Sequence, residues 1–388
     1  MFSSRLNTSA EVNRITRRLG ELRAAGTPIL DLTESNPTRA GIDYPAAEIA
    51  RLLADTRSLT YEPEPAGLPA AREAVARYYA ERGEPVDPAR ILLTSSTSEA
   101  YAWLFKLLAD PGDEVLAPRP SYPLFDYLAA LESVRVVQYP LVYDGAWAID
   151  LDALRHAVTP RTRAIVVVNP NNPTGSFLKR DECEALVRLC RDRDLAIVSD
   201  EVFSDYALTD DPRRIPSLAA AQDAPVFALS GLSKIAGLPQ IKLGWMVVNQ
   251  PEAMARLEFI ADTYLSVSTP VQWAAAGLFN LRASIQCQIH ARLRRNLQAL
   301  RAQFGPESPM RVLRVEGGWY AIVQVPRIRS EEEWALCLLE RNRVLVQPGF
   351  FYDFENEAFL VVSLLTPEVV FADGIAGWDR LMATHPAA

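Results

Sequence analysis

Seven short apolar runs, at 91–94, 114–117, 134–138, 164–168, 196–199, 226–230 and 244–248, limit what this chain can fold into more than any other feature. They are continuous rather than alternating, which marks strands buried on both faces, and helical periodicity fills most of the intervals between them. The pattern predicts an α/β architecture, with a mainly parallel seven-stranded sheet held between helices. The chain's 388 residues leave room for a second unit. A helical pattern from Val271 to Phe304 stops at Gly305-Pro306, and the remainder mixes strand-like runs at 311–315, 318–325, 344–346 and 359–364 with helices. A large domain is therefore expected over 46–280. A smaller α+β domain would combine an N-terminal arm, 1–45, with the C-terminal part, 281–388.

The arm opens on a predicted helix from Glu11 to Ala25, with Val12, Ile15, Leu19 and Leu22 at helical spacing. The stretch from Asp31 to Pro37 turns away as a loop. A second loop, 61–67, is stiffened by Pro63 and Pro65 and leads into an amphipathic helix through Ala71, Val75 and Tyr78.

Of the 40 basic residues, only Lys106, Lys179, Lys234 and Lys242 are lysines. Two of the four fall in Ser230-Gly-Leu-Ser-Lys-Ile-Ala-Gly-Leu-Pro-Gln-Ile-Lys242. A guanidinium stays protonated, whereas an ammonium can lose its proton and attack a carbonyl. Lys234 follows the 226–229 run, at a strand end where open α/β sheets place their chemistry, and is a candidate Schiff-base lysine. A solvated loop lysine is the alternative, and the neighbours decide between them. Asn169-Pro-Asn-Asn-Pro-Thr-Gly175 follows the 164–168 run and turns tightly, bringing amide side chains over the strand ends. Asp200 ends the next run, where it reads as a site carboxylate or a helix N-cap. Thr94-Ser-Ser-Thr-Ser-Glu99 lies between a strand and a helix, and its hydroxyls and free amides suit a phosphate. It lacks the glycines of a Walker or dinucleotide loop, which disfavours nucleotides. All four features lie at successive carboxyl ends of one predicted sheet.

A net charge of −8, a pI near 5.2 and dispersed arginines argue against nucleic-acid or anionic-membrane partners. No apolar run is long enough to span a bilayer, and Arg5, Glu11 and Arg14 interrupt any signal-peptide core, so a cytoplasmic protein is expected. Cys183, Cys190, Cys287 and Cys337 have no metal-ligand spacing and read as reduced packing residues, the first two on one helix face. His156, His290 and His385 fall in no motif. No metal site is expected.

Taken together, the aromatic plus Gly67-Leu-Pro loop, Pro120-Ser-Tyr-Pro123, the Asn169–Gly175 loop, Asp200-Glu-Val202, Ser233-Lys234 with a second cation at Lys242, and Glu316-Gly-Gly-Trp-Tyr320 carry a resemblance. From Asp31 to Leu364 the chain resembles the class I/II aminotransferases, pyridoxal-phosphate enzymes of fold type I related to aspartate aminotransferase. The resemblance implies pyridoxal 5′-phosphate held by Lys234 as a Schiff base. Once freed, Lys234 would move a proton between the substrate α-carbon and the cofactor. Asp200 would pair with the pyridinium nitrogen, Asn172 with the phenolic oxygen, and Tyr122 would stack on the ring. The amides of Ser96 and Thr97, the Thr97 hydroxyl, Ser230 or Ser233, and Lys242 would cup the phosphate. Tyr61 would reach the phosphate of a neighbouring subunit, which implies a homodimer with shared sites. The implied activity moves an amino group from an amino donor to a 2-oxo acid. Two alternatives are a lyase or decarboxylase on the same fold, and a ligand-sensing regulator, whose DNA-binding region would precede such a domain. The resemblance here begins within the first few dozen residues.

Four positions depart from the family pattern. Phe203 stands where relatives usually carry a tyrosine, and Lys242 where an arginine is commoner. Val361 stands where the family places the arginine that clamps the substrate α-carboxylate, and no arginine occurs between Arg343 and Arg380. Glu34 occupies a substrate-facing loop position that is usually apolar. The substrate is then either anchored by another cation, with Arg39 and Arg119 the nearest candidates, or carries an amine recognised by Glu34.

Overall fold

The computed structural model describes residues 2–6, 12–221 and 223–384; Glu11 and His385 lie outside them. The first long helix runs Arg14–Ala24 and buries Ile15 and Leu22. It starts where Asn13 accepts a bond from the Thr16 amide at 2.8 Å, an N-cap that ends the chain's extended entry. A two-residue strand, β1 (Leu30–Asp31), follows.

Eight strands then build one sheet: β2 (Ile91–Thr94), β3 (Glu114–Arg119), β4 (Arg135–Tyr143), β5 (Trp147–Ile149), β6 (Thr162–Val168), β7 (Ala196–Asp200), β8 (Val226–Gly231) and β9 (Gly244–Val248). Their order is β2-β9-β8-β7-β6-β3-β4-β5. The pairings from β4 through β3, β6 and β7 to β8 are parallel, while β9 runs antiparallel to both β8 and β2. All seven apolar runs are strands of this sheet, and β2, β7, β8 and β9 are buried along their whole length. The eighth strand, β5, pairs antiparallel with β4 across the turn at Asp144 and Gly145. Three residues are too few for a hydrophobic period to register.

The C-terminal part carries β10 (Arg311–Val312), β11 (Tyr320–Gln324), β12 (Val344–Leu345), β13 (Gln347–Pro348) and β14 (Phe359–Ser363). Four of these form an antiparallel sheet in the order β10-β11-β14-β13. The fifth, β12, pairs in parallel with β1, with Leu30 opposite Val344, so N-terminal and C-terminal segments share one small layer.

A single helix, Thr269–Gln303, joins the two parts. Its Val271, Leu278 and Phe279 pack with Trp245 beside the large sheet, and its Ile285, Ile289, Leu293 and Leu300 pack with Trp319, Trp334 and Trp378 around the small one. Cys183 and Cys190 do share the Arg180–Arg193 helix, and all four cysteines are free. Cys287 is exposed on the outer side of the long helix, so the packing reading fails for it. No helix among the described residues is long and apolar enough to cross a membrane.

Candidate active site

Lys234 sits on a single helical turn, Leu232–Ile235, directly after β8. A turn that short does not sustain itself, because nucleating a helix costs more than one bond returns. Backbone convergence holds it in place. Gly231 lies opposite Gly244 in the β8–β9 ladder, and the Leu232 amide donates to Leu243 O at 2.9 Å. A Cβ on Gly231 would stand 3.0 Å from Leu243 O, and one on Gly244 would stand 3.0 Å from both Ser96 C and Thr94 Oγ1. These two glycines let β8, β9 and the loop after β2 come together.

Asp200 ends β7, the neighbouring strand, opposite Leu229 of β8. Burial pushes its carboxyl up to about 6, against the Val202 amide at 3.2 Å, the Tyr101 hydroxyl at 3.1 Å and the charge of Lys234. Burial likewise pushes Lys234 down to about 8, opposed by Asp200. The Lys234 Nζ lies 4.9 Å from the Trp319 ring centroid and 5.4 Å from that of Phe203. Two aromatic rings thus wall off water behind the amine. The phenyl of Phe203 brings no hydroxyl to the site.

Two loops complete the cleft. In the Asn169–Gly175 loop, Asn169 accepts from the Leu178 amide at 3.0 Å and donates to Ile215 O at 3.2 Å, while Asn171 accepts from the Thr174 hydroxyl at 2.8 Å. Those two amides hold the loop itself. Asn172 is left to face the cavity, with its Oδ1 buried and without a partner. After β2, Ser96 N-caps the Thr97–Leu108 helix by accepting from the Glu99 amide at 3.2 Å. The helix's first amides therefore open towards the cleft, with Thr97 and Ser98 lining it.

The cleft holds a cavity of about 200 Å³. Of the residues expected from sequence, Ser96, Thr97, Tyr122, Asn172, Asp200, Ser233 and Lys234 all line it. Ser230 lies in β8, buried, with its Oγ unpartnered. Lys242 is exposed at a left-handed φ of 57°, and Tyr61 is 73% exposed. Glu34 accepts from the Asn36 amide at 2.8 Å, Arg39 is exposed, and Arg119 pairs with Glu355. None of these last three is among the residues lining the cleft. Lys234 is the one cationic side chain among the described lining residues, and Val361 is fully buried in β14.

Sequence reasoning missed Tyr101, Ser35 and Tyr320 as cleft residues, and Trp319 behind the amine. Tyr101 was within reach, since it lies one helical turn beyond Thr97 on the same face. Ser35 and Tyr320 meet only because the segment after β1 is tied to β14, the neighbour of β11, through the Ser363 amide donating to Leu32 O at 2.7 Å, and no local pattern reports that.

An amine suited to a carbonyl, a buried acid, a helix N-terminus suited to phosphate and one unpartnered buried amide oxygen, that of Asn172, therefore surround one cavity. Comparison with known proteins shows the family. The family profile described as aminotransferase class I and II matches residues 27–370. The chain is 32% identical over 266 residues to the glutamate-pyruvate aminotransferase AlaA of Escherichia coli (strain K12), a match that covers 67% of this chain and spans 65% of that relative's length. It is 28% identical over 370 residues to the aspartate/prephenate aminotransferase of Thermus thermophilus, covering 93% of each. Among solved structures, an alanine aminotransferase from Pyrococcus furiosus superposes with a TM-score of 0.88 at 24% identity, over 99% of this chain and 100% of that one. With most of its length matched by that profile, the chain belongs to the aminotransferase class I and II family.

Proposed function

We propose that this protein is a pyridoxal-phosphate-dependent aminotransferase that moves an amino group from an amino donor to a 2-oxo acid. The observation that carries the reading is the buried pair at the ends of β7 and β8, a lysine pushed down to about 8 beside a carboxyl pushed up to about 6. Pyridoxal 5′-phosphate, the cofactor of this family, fits the cleft. Its phosphate matches the Ser96–Thr97 helix start, and its polar ring edge matches Asn172, a cleft-lining amide whose buried Oδ1 has no partner to hold it. When bound, it supplies an aldehyde and a ring that accepts the electron pair left at the substrate α-carbon.

The chain's own groups do the rest. Lys234 holds the cofactor and, once released, moves the proton at the substrate α-carbon; an amine that is substantially neutral near pH 8 suits both tasks. Asp200, donated to by Tyr101 and the Val202 amide, holds the proton of the ring nitrogen. Asn172 donates to the phenolic oxygen and Tyr122 covers the ring. Ser96, Thr97, Ser230 or Ser233, and Lys242 receive the phosphate. Lys242 acts there as a point charge rather than a fork. Phe203 leaves the phenolic oxygen with one donor fewer. The substrate side is formed by Ser35 and Tyr320, with Glu34, Arg39 or Arg119 as the anchoring group.

Exposure of Tyr61 (73%), Leu59 (85%) and Phe259 (76%) supports a homodimer in which Tyr61 serves the partner's site. The β1–β12 pairing supports a small domain built from 1–45 and 281–388 beside a large one over 46–280. Four free cysteines support a reducing, cytoplasmic setting.

The test is a half-reaction. Glutamate, the donor in the name of the Escherichia coli relative, heads the panel of donors to be tried, with pyruvate as acceptor. Adding an effective donor alone to the loaded protein converts the cofactor stoichiometrically to its amine form, and a 2-oxo acid reverses the change. A lyase or decarboxylase would instead return to its starting absorbance. Protein that takes up no pyridoxal phosphate would end this reading.

A further inference from the structure

The backbone that carries Lys234 is held by side chains from three separate parts of the chain. The Tyr206 hydroxyl donates to Lys234 O at 2.6 Å, Gln286 Nε2 donates to Ile235 O at 2.7 Å, and the Tyr44 hydroxyl donates to Gly237 O at 2.6 Å. Tyr206 lies on the segment that leaves β7 just after Asp200, Gln286 on the Thr269–Gln303 helix, and Tyr44 in the N-terminal segment. Lys234 O also accepts from the Gly237 amide at 3.1 Å, so Tyr206 adds a second bond there, while Gln286 and Tyr44 supply side-chain donors to the Ile235 and Gly237 carbonyls beyond the turn.

The donors are themselves oriented. Gln286 Nε2 also donates to Asp205 Oδ2 at 2.6 Å. The other oxygen of Asp205 accepts from the Tyr78 hydroxyl at 2.9 Å and pairs with Arg82, and its backbone carbonyl meets His290 Nε2 at 2.9 Å. The Tyr206 ring packs 5.2 Å from Trp319, the ring that lies against the Lys234 amine. Asp205 and Tyr206 are adjacent residues, and they tie the Lys234 turn to the strand that presents Asp200.

We propose that Tyr206 and Gln286, oriented by Asp205, form a latch that positions Lys234 through its backbone and so fixes the amine relative to the Asp200 carboxylate. Lysine has a long, freely rotating side chain, and drift of its backbone is passed on to Nζ. Misplacing a reacting group by ~1 Å costs ~100-fold in rate, so a locked backbone carries catalytic weight. Both latch residues are positioning residues, since neither lines the cleft. The consequence for turnover rests on the aminotransferase reading, whereas the geometry does not.

Tyr206→Phe and Gln286→Met each delete one donor and keep the packing. Tyr139→Phe is the control, because Tyr139 donates to Val166 O at 2.8 Å in the same sheet, away from the lysine turn. With glutamate and pyruvate, both latch variants lower kcat ~10-fold while KM stays within ~2-fold, as loss of alignment rather than of binding predicts. In cofactor-free protein, trinitrobenzenesulfonate labels Lys234 ~5-fold faster in the latch variants, as expected for one lost hydrogen bond, with peptide mass spectrometry as the readout. Tyr139→Phe changes neither. Unchanged labelling in both latch variants overturns the latch, and so does equal acceleration in the control, which would mean general softening. If the wild type takes up no pyridoxal phosphate, the aminotransferase reading falls and the labelling rates alone decide the latch.

Discussion

The Tyr101 hydroxyl donates to Asp200 Oδ2 at 3.1 Å, from the helix whose first turn lines the end of the cleft proposed for the phosphate. One helix thereby reaches both ends of the cleft, its N-terminus through backbone amides and its second turn through a phenol. Tyr101→Phe leaves a buried carboxylate with one donor fewer. We expect a loss of about 2 kcal/mol in stability, measured by urea unfolding of the cofactor-free protein, and a fall in kcat larger than any change in KM.

Lys234 and Asp200 give a signed pH prediction. In cofactor-free protein, labelling of Lys234 has its midpoint near 8 rather than at the ordinary 10.5, because burial disfavours the ammonium. Asp200 opposes that shift, so Asp200→Asn moves the midpoint lower still. Lys234→Ala lowers turnover by ~10⁴-fold or more, as loss of the proton-moving group requires.

Gly244→Ala places a methyl 3.0 Å from Ser96 C and Thr94 Oγ1, so the start of the Thr97–Leu108 helix must move. About 2 kcal/mol of stability is lost to overpacking, and affinity for pyridoxal phosphate falls with it. Thermal melting and a cofactor titration read the two effects separately.

Glu201 is buried behind Asp200, accepting from the Leu218 amide at 2.8 Å and from Ser199 and Ser217, and burial pushes its carboxyl up to about 7. The folded protein therefore holds this proton more tightly than the unfolded chain. Its contribution to stability is complete below about 4.5 and is lost as pH rises through about 7. Asp200 acts in the same direction in the cofactor-free protein, from 3.8 to about 6. Denaturant unfolding at pH 5 and pH 8 shows this decline in the wild type, and Glu201→Gln flattens it.

Substrate anchoring separates by charge. Val361 is fully buried, in register with Ile322 on one side and Gln347 on the other. Val361→Arg therefore buries an unpaired cation and destabilises by ~3–5 kcal/mol rather than improving substrate binding. Glu34→Gln keeps an acceptor for the Asn36 amide and removes only charge. If Glu34 reads a second amine, KM for lysine as donor rises about 5-fold relative to alanine. Equal changes in the two KM values assign the anchoring to Arg39 or Arg119.

The large sheet was legible because a strand buried on both faces writes a continuous apolar run, and seven such runs are seven strands. Lys234, Asp200 and Asn172 were legible because strand ends followed by turn formers mark where such a sheet exposes its groups. The close contacts at Gly231 and Gly244 were not, since they depend on which strands lie side by side and β9 runs against its neighbours. Tyr206, Gln286 and Tyr44 were silent for the same reason. Each is an ordinary residue in its own segment, and its role exists only where distant segments touch.

The Thr269–Gln303 helix runs without a break through two hydrophobic cores, a shaft ~52 Å long at ~1.5 Å per residue. Neither core keeps its wall if the other lets go of this helix. On heating, the two parts should come undone together, in a single calorimetric endotherm rather than two.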